Sequence, residues 1–250
     1  EIERKHYKLW LCSTIVMQRL FANDVFGRSE FKVKECIESS RRYVVTENHT
    51  QALHQLETLK VAILTGEPGI GKTTLAEQLC LKYVTEGFEL VEISKDISEA
   101  EGVLLPDTKQ IFLFDDFLGQ NYLDALSGHE GKSITRFIRR IASEQNKRFV
   151  LTSRSTILNQ GKALIGSFQH ANLARNEYEL RIDKLTTLER ATILYNHIFH
   201  SELSDDYKDG IYLNRRYRLI AKHKNFNPRL ISYITGAARL NALTPLDYWD

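Results

Sequence analysis

No stretch constrains the fold more than Gly66-Glu67-Pro68-Gly69-Ile70-Gly71-Lys72-Thr73, which matches G-x-x-x-x-G-K-[ST] in full. The run before it, Leu59-Lys60-Val61-Ala62-Ile63-Leu64, reads as a buried strand. After it, Leu75, Ala76, Leu79, Cys80 and Tyr83 share one helical face, and Gly87 is a suitable helix terminator. Strand, glycine-rich loop and helix in that order make an anion cradle. The loop curls so that successive backbone N–H groups point inward, and the helix adds the positive end of its dipole. Lys72 then reaches the β and γ phosphates as a point charge, and the Thr73 hydroxyl is a ligand for Mg²⁺. Gly66, Pro68, Gly69, Ile70, Gly71, Lys72, Thr73 and Thr74 are the expected contacts with ATP or ADP. An accidental glycine turn is the other account, and the flanking strand and helix argue against it.

The strand and helix periods go on alternating. Further strands are expected at residues 88–93, 110–114 and 148–152, with helical stretches near Ser98 and over residues 133–144. This predicts an α/β fold: a P-loop NTPase parallel sheet flanked by helices. After about Glu177 the pattern turns helical, opening on the capping box Thr186-Thr187-Leu188-Glu189. A later helix is announced by Asn227-Pro228, an N-cap followed by proline at the first helical position. The expected organisation is an N-terminal helical connector (1–40), a nucleotide-binding domain (41–175) and a smaller all-helical lid or winged-helix-like domain (176–250). The expected boundary, between Ala171 and Glu177, has no Pro/Gly-rich linker, so the units should pack closely.

Ile111-Phe112-Leu113-Phe114-Asp115-Asp116 is an apolar run ending in two acids, as a central strand would deliver carboxylates to the phosphate edge of the sheet. Asp115 should hold Mg²⁺, usually through a water, and Asp116 is the candidate to orient or deprotonate the attacking water. Taken alone, two acids after a strand are also a common turn opening. Phe149-Val150-Leu151-Thr152-Ser153-Arg154 ends in polar residues in the same way, so Thr152 and Arg154 could face the γ-phosphate. A surface ion pair is the alternative for Arg154.

Composition narrows the rest. With 42% hydrophobic and 26% charged residues among 250, the chain can bury a sizeable core without staples. Net charge is +2, so nucleic acid is possible as a partner but not indicated by charge. Arg136, Arg139 and Arg140, and the later cluster Arg215, Arg216, Arg218, Lys222, Lys224 and Arg229, read better as solvated faces than as a polyanion site. Cys12, Cys36 and Cys80 are irregularly spaced and suit a reducing, cytoplasmic setting. The apolar run Leu9 to Met17 is too short to span a bilayer, so it is expected to be a packed helix and no membrane partner is expected. Trp10 and Trp249 are read as packing residues, and no role falls to the scattered histidines, His197 and His200 included. A first residue of Glu1 suggests an excised piece of a longer protein.

Together these segments resemble a STAND ATPase of the third novel group. The resemblance rests on Tyr43-Val44-Val45-Thr46, on residues 66–76, and above all on Phe112-Leu113-Phe114-Asp115-Asp116-Phe117-Leu118-Gly119. Thr152-Ser153-Arg154 is similar to the family's sensor segment, and Asn225-Phe226-Asn227-Pro228-Arg229 to its lid motif. The resemblance implies that Val45, Thr46 and Pro228 lie beside the adenine. It also implies a switch, with ADP holding a closed monomer and ATP supporting an open homo-oligomer that activates a fused effector. Such bacterial proteins often act against phages beside a nuclease, and residues 6–29 are similar to the connector between the two. Any effector would lie outside this chain.

With Asp116 the only base candidate, slow ATP hydrolysis is expected, which suits a switch. An ATP-driven nucleic-acid motor or loader is the alternative function, and a small-molecule kinase a weaker one.

Overall fold

The computed structural model describes residues 22–117, 129–154, 177–182, 185–236 and 249. The expectations for Leu9 to Met17, Trp10, Cys12, Leu118-Gly119 and the boundary at residues 171–176 lie outside them, as does most of the proposed connector.

Helix α1 (Asn23–Ser40) and helix α2 (Glu47–Leu59) precede strand β1 (Val61–Gly66). Helix α3 (Lys72–Thr85) follows the glycine-rich loop, and Gly87, at φ 85°, lets the chain turn out of it into β2 (Glu89–Ile93). Then come α4 (Ser98–Val103), β3 (Gln110–Phe114), α5 (His129–Ser143), β4 (Lys147–Arg154) and β5 (Glu179–Arg181). All five strands are parallel, in the order β2-β3-β4-β1-β5. The fold is thus the expected P-loop NTPase sheet flanked by helices.

Strand alternation divides the core between two faces. Ile63, Phe112, Phe149 and Leu151 pack on one side with Phe137 and Ile141 of α5. Ala62, Leu64, Leu113 and Val150 pack on the other with Leu75, Ala76 and Leu79 of α3 and Leu56 of α2. Both faces are covered, which is why these strands read as continuous apolar runs.

The sheet takes in one strand more than the sequence pattern suggested. Glu179–Arg181 pairs with β1, and the Glu179 carboxylate accepts a 2.9 Å hydrogen bond from Thr65 Oγ1. The strand order therefore runs past residue 175, where the nucleotide-binding unit was expected to end. Three residues carrying two charges show no strand period, and only pairing to β1 makes them a strand.

The helices that follow have a core of their own. They are α6 (Thr187–Phe199), α7 (Asp205–Gly210), α8 (Arg216–Lys222) and α9 (Pro228–Ile234). Leu194, Ile198, Leu203, Ile211, Ile231 and Trp249 are buried together, and Trp249 Nε1 donates to the Tyr207 carbonyl at 2.6 Å. The Thr186 capping box and the Asn227 cap with Pro228 at the first turn both form. No described helix is long and apolar enough to cross a membrane.

Candidate nucleotide site

The register of the sheet decides what meets the glycine-rich loop. β4 lies between β1 and β3, with Gly66 opposite Arg154 and Phe114 opposite Leu151. The end of β4 therefore sits between the loop and the two acids.

Lys72 and Thr73 stand at the start of α3. Lys72 Nζ donates to the carbonyls of Gly66 and Glu67, each at 3.0 Å, and so braces the loop from inside. Burial holds the Lys72 ammonium below its usual pKa, against the pull of the Asp116 carboxylate and with reinforcement from Arg154. A partly desolvated cation at the start of a helix favours an anion that could pair with it.

Thr73 Oγ1 lies 3.0 and 3.1 Å from the two carboxylate oxygens of Asp115. A hydroxyl beside a carboxylate supplies the hard oxygen donors that Mg²⁺ takes, so this pair would suit such an ion. The Asp115 carboxylate is oriented by a hydrogen bond of 2.6 Å from Thr152 Oγ1. The same hydroxyl oxygen accepts the Asp116 N–H at 2.8 Å. Thr152 is fully buried and spent on these two contacts, so it does not face a γ-phosphate as the sequence had suggested. It positions the acids instead.

Asp116 takes a left-handed turn at φ 50°, a conformation aspartate tolerates better than most residues. Its carboxylate lies 3.7 Å from Arg154 Nη2, both side chains being about half exposed. The base candidate and the sensor candidate are thus neighbours, and the surface ion pair considered for Arg154 is also present.

Beside the loop opens a cavity of about 550 Å³. Gly69, Ile70, Gly71, Lys72, Thr73 and Thr74 form one wall, and Thr46, Pro228 and Arg229 stand on others. Val45 departs from expectation: it is 67% exposed and is not on the wall, whereas its neighbours Val44 and Thr46 are. Successive residues of an extended segment face opposite ways, so the flanking positions line the cavity and 45 does not.

The N-terminus of α9 reaches the loop directly. Asn227 Nδ2 donates to the Pro68 carbonyl at 3.1 Å while its Oδ1 accepts the Arg229 N–H at 2.9 Å. At the other side, Glu189 accepts from the Glu47 N–H at 2.9 Å and from the Thr186 N–H at 2.7 Å. Burial works against the Glu189 carboxylate, yet these N–H donors hold its pKa below the usual range. Asn196 adds a contact of 3.5 Å to the Tyr43 carbonyl.

Sequence reasoning gave Asn227 its capping role and a place in the lid-like motif, and gave Glu189 only its box. Neither partner across the cavity is visible in a linear pattern. His197, given no role, is on the cavity wall, and its place four residues after Ile193 was the one available signal. The basic face of α5 has acidic neighbours, Arg136 with Glu101 and Arg140 with Glu144, each at 3.5 Å.

Comparison with known proteins adds three findings. The profile of the family described as Novel STAND NTPase 3 matches residues 43–200, well over half of the chain. No curated protein matches. Among solved structures, the chain is similar to the Thermotoga maritima RuvB Holliday junction branch migration motor at 18% identity and a TM-score of 0.42, covering 75% of this chain and 58% of that one. It is also similar to C. elegans PCH-2 at 15% identity and a TM-score of 0.42, covering 87% of this chain and 60% of that one. The chain thus spans less than two thirds of either structure's own length.

Proposed function

The chain belongs to the Novel STAND NTPase 3 family, and from that premise we propose that it is an ATP- and ADP-binding switch with slow hydrolysis, whose nucleotide state sets the angle between sheet and lid. One observation carries this reading: the cavity beside the phosphate loop is walled by both units, which touch through Asn227 on Pro68 and Glu189 on Glu47. A ligand that fills such a cavity contacts both walls, so ligands of different length favour different lid positions.

In this reading Lys72 leaves the carbonyls of Gly66 and Glu67 for the β and γ phosphates. Thr73 and Asp115 would hold Mg²⁺, which would neutralise charge on the phosphate oxygens. Asp116 orients the attacking water, and Arg154, 3.7 Å from it, answers to the γ-phosphate. Thr46 and Pro228 flank the base. The domain division into a nucleotide-binding unit and a lid belongs to the same proposal, with its boundary after β5.

Assembly in the ATP state, control of an effector outside this chain, and defence against phage in the cytoplasm are the roles such a switch would serve. The test measures ATP and ADP binding to wild type and Lys72→Ala, with light scattering, phosphate release and hydrogen exchange on the same samples. The switch predicts tight ADP binding, slow release of phosphate, loss of binding in Lys72→Ala, and different lid protection with ATP and ADP. Equal protection with both nucleotides sinks it. Fast turnover raised further by DNA would instead mark a nucleic-acid motor.

A further inference from the structure

The two acids after β3 are followed by an aromatic residue that the phosphate chemistry does not use. Phe117 is 2% exposed and packs in the core beneath α5, its ring 5.3 Å from that of Phe114. Asp115, two residues earlier, meets Thr73 of α3, which covers the other face of the sheet. In a continued strand residues 115 and 117 would share a face. The left-handed turn at Asp116 puts them on opposite ones.

β4 holds this turn on both sides. Before it, Thr152 Oγ1 bonds the Asp115 carboxylate and accepts the Asp116 N–H. After it, the Phe117 N–H donates to the Thr152 carbonyl at 2.9 Å, and the Phe117 carbonyl accepts from Ser153 Oγ at 3.1 Å. Ser153 is fully buried and shares its face of β4 with Phe149 and Leu151 of the core beneath α5. Arg154, the next residue, has its guanidinium 3.7 Å from the Asp116 carboxylate. Even for aspartate the left-handed conformation is a minor one, and it persists where the surroundings fix it. Without the Ser153 hydroxyl, the residue after Asp116 keeps one of its two bonds to β4.

We infer that Ser153 is a positioning residue for ATP hydrolysis: through the Phe117 carbonyl it fixes the turn that holds the Asp116 carboxylate beside Arg154. Ser153 acts from the face of β4 opposite Thr152, so its effect on the reaction passes through Asp116. The inference rests on the hydrolytic reading above, and its test separates the two.

Single-turnover hydrolysis of radiolabelled ATP and equilibrium ATP affinity are measured for wild type, Ser153→Ala, Asp116→Asn and the double variant. Ser153→Ala deletes the hydroxyl and adds no bulk, and Asp116→Asn keeps the shape of the side chain without its basicity. Should Ser153→Ala fail to fold, Ser153→Cys, which offers a weaker donor, takes its place.

The expected result is a rate constant about tenfold lower in Ser153→Ala at unchanged ATP affinity. No further fall is expected when the change is added to Asp116→Asn, whereas a purely structural role would lower both backgrounds alike. The Phe117 amide hydrogen should also exchange faster in Ser153→Ala, with no nucleotide present. A rate equal to wild type, an equal fall in both backgrounds, or an unchanged Phe117 amide would overturn the inference. A wild type that binds ATP and does not hydrolyse it would overturn the hydrolytic reading, and the inference with it.

Discussion

Asn227 rests on Gly69 so closely that a Cβ built at position 69 would lie 2.5 Å from its side-chain amide. Gly69 is also at φ 81°, a conformation other residues adopt at a cost. Glycine is therefore needed there twice over, once for the curl of the loop and once to let Asn227 approach.

Replacing Asn227 by Ala should remove both the helix cap and the bond to the Pro68 carbonyl. Loss of a cap of this kind costs about 1 kcal/mol. We expect a melting temperature lower by roughly 2–4 °C, with faster hydrogen exchange in α9 and in the phosphate loop. Exchange that rises in α9 alone would show that the contact does not hold the loop.

Thr152→Val keeps the shape of a buried side chain and deletes the hydroxyl shared by Asp115 and Asp116. Loss of such a supporting contact typically costs about 10–100-fold in activity or metal affinity. Phosphate release should fall by that order, with ADP affinity in the absence of Mg²⁺ nearly unchanged. Steady-state phosphate assays and calorimetry on the same preparation decide it.

The pH dependence of stability has a term assignable to His197. Its folded pKa of about 4 lies below the ordinary 6.5, so the unfolded chain takes up a proton that the folded chain refuses. Stability is accordingly full above pH 6.5 and declines as pH falls toward 4. Between pH 7 and pH 5 the urea midpoint of wild type should fall further than that of His197→Phe if the ring is the cause. A parallel pair of pH profiles would place the acid sensitivity elsewhere.

Phe137 offers a control on the scaffold. It is fully buried, with its ring edge-on to Phe112 at 5.2 Å and to Phe149 at 5.3 Å between centroids. Phe137→Ala should cost about 3–5 kcal/mol in a urea titration. At a temperature where the variant is still folded, its ADP affinity should match wild type, since the ring is not on the cavity wall.

Much of the scaffold was open to a linear reading because its signals are local. A strand covered on both faces must be apolar throughout, and β1, β3 and β4 are. Caps announce themselves by residue type, as Thr186 and Asn227 do. The phosphate loop is likewise contiguous, since its donors are its own backbone N–H groups. β5 escaped because its three residues are a strand only by virtue of pairing to β1.

The sequence by itself determined the loop, the strands that carry it, the acids at the end of β3 and the two capped helices α6 and α9. Each depends on a period, a cap or a motif written within a dozen residues or so. Only the tertiary structure decided that Thr152 holds Asp115, that Val44 and Thr46 rather than Val45 face the cavity, that Asn227 lies on Gly69 and that His197 lacks a partner. Those relationships join residues up to 159 positions apart, as Asn227 to Pro68 does. Contacts at that separation are set by which faces pack together, and neither partner carries a mark of the other in its own neighbourhood.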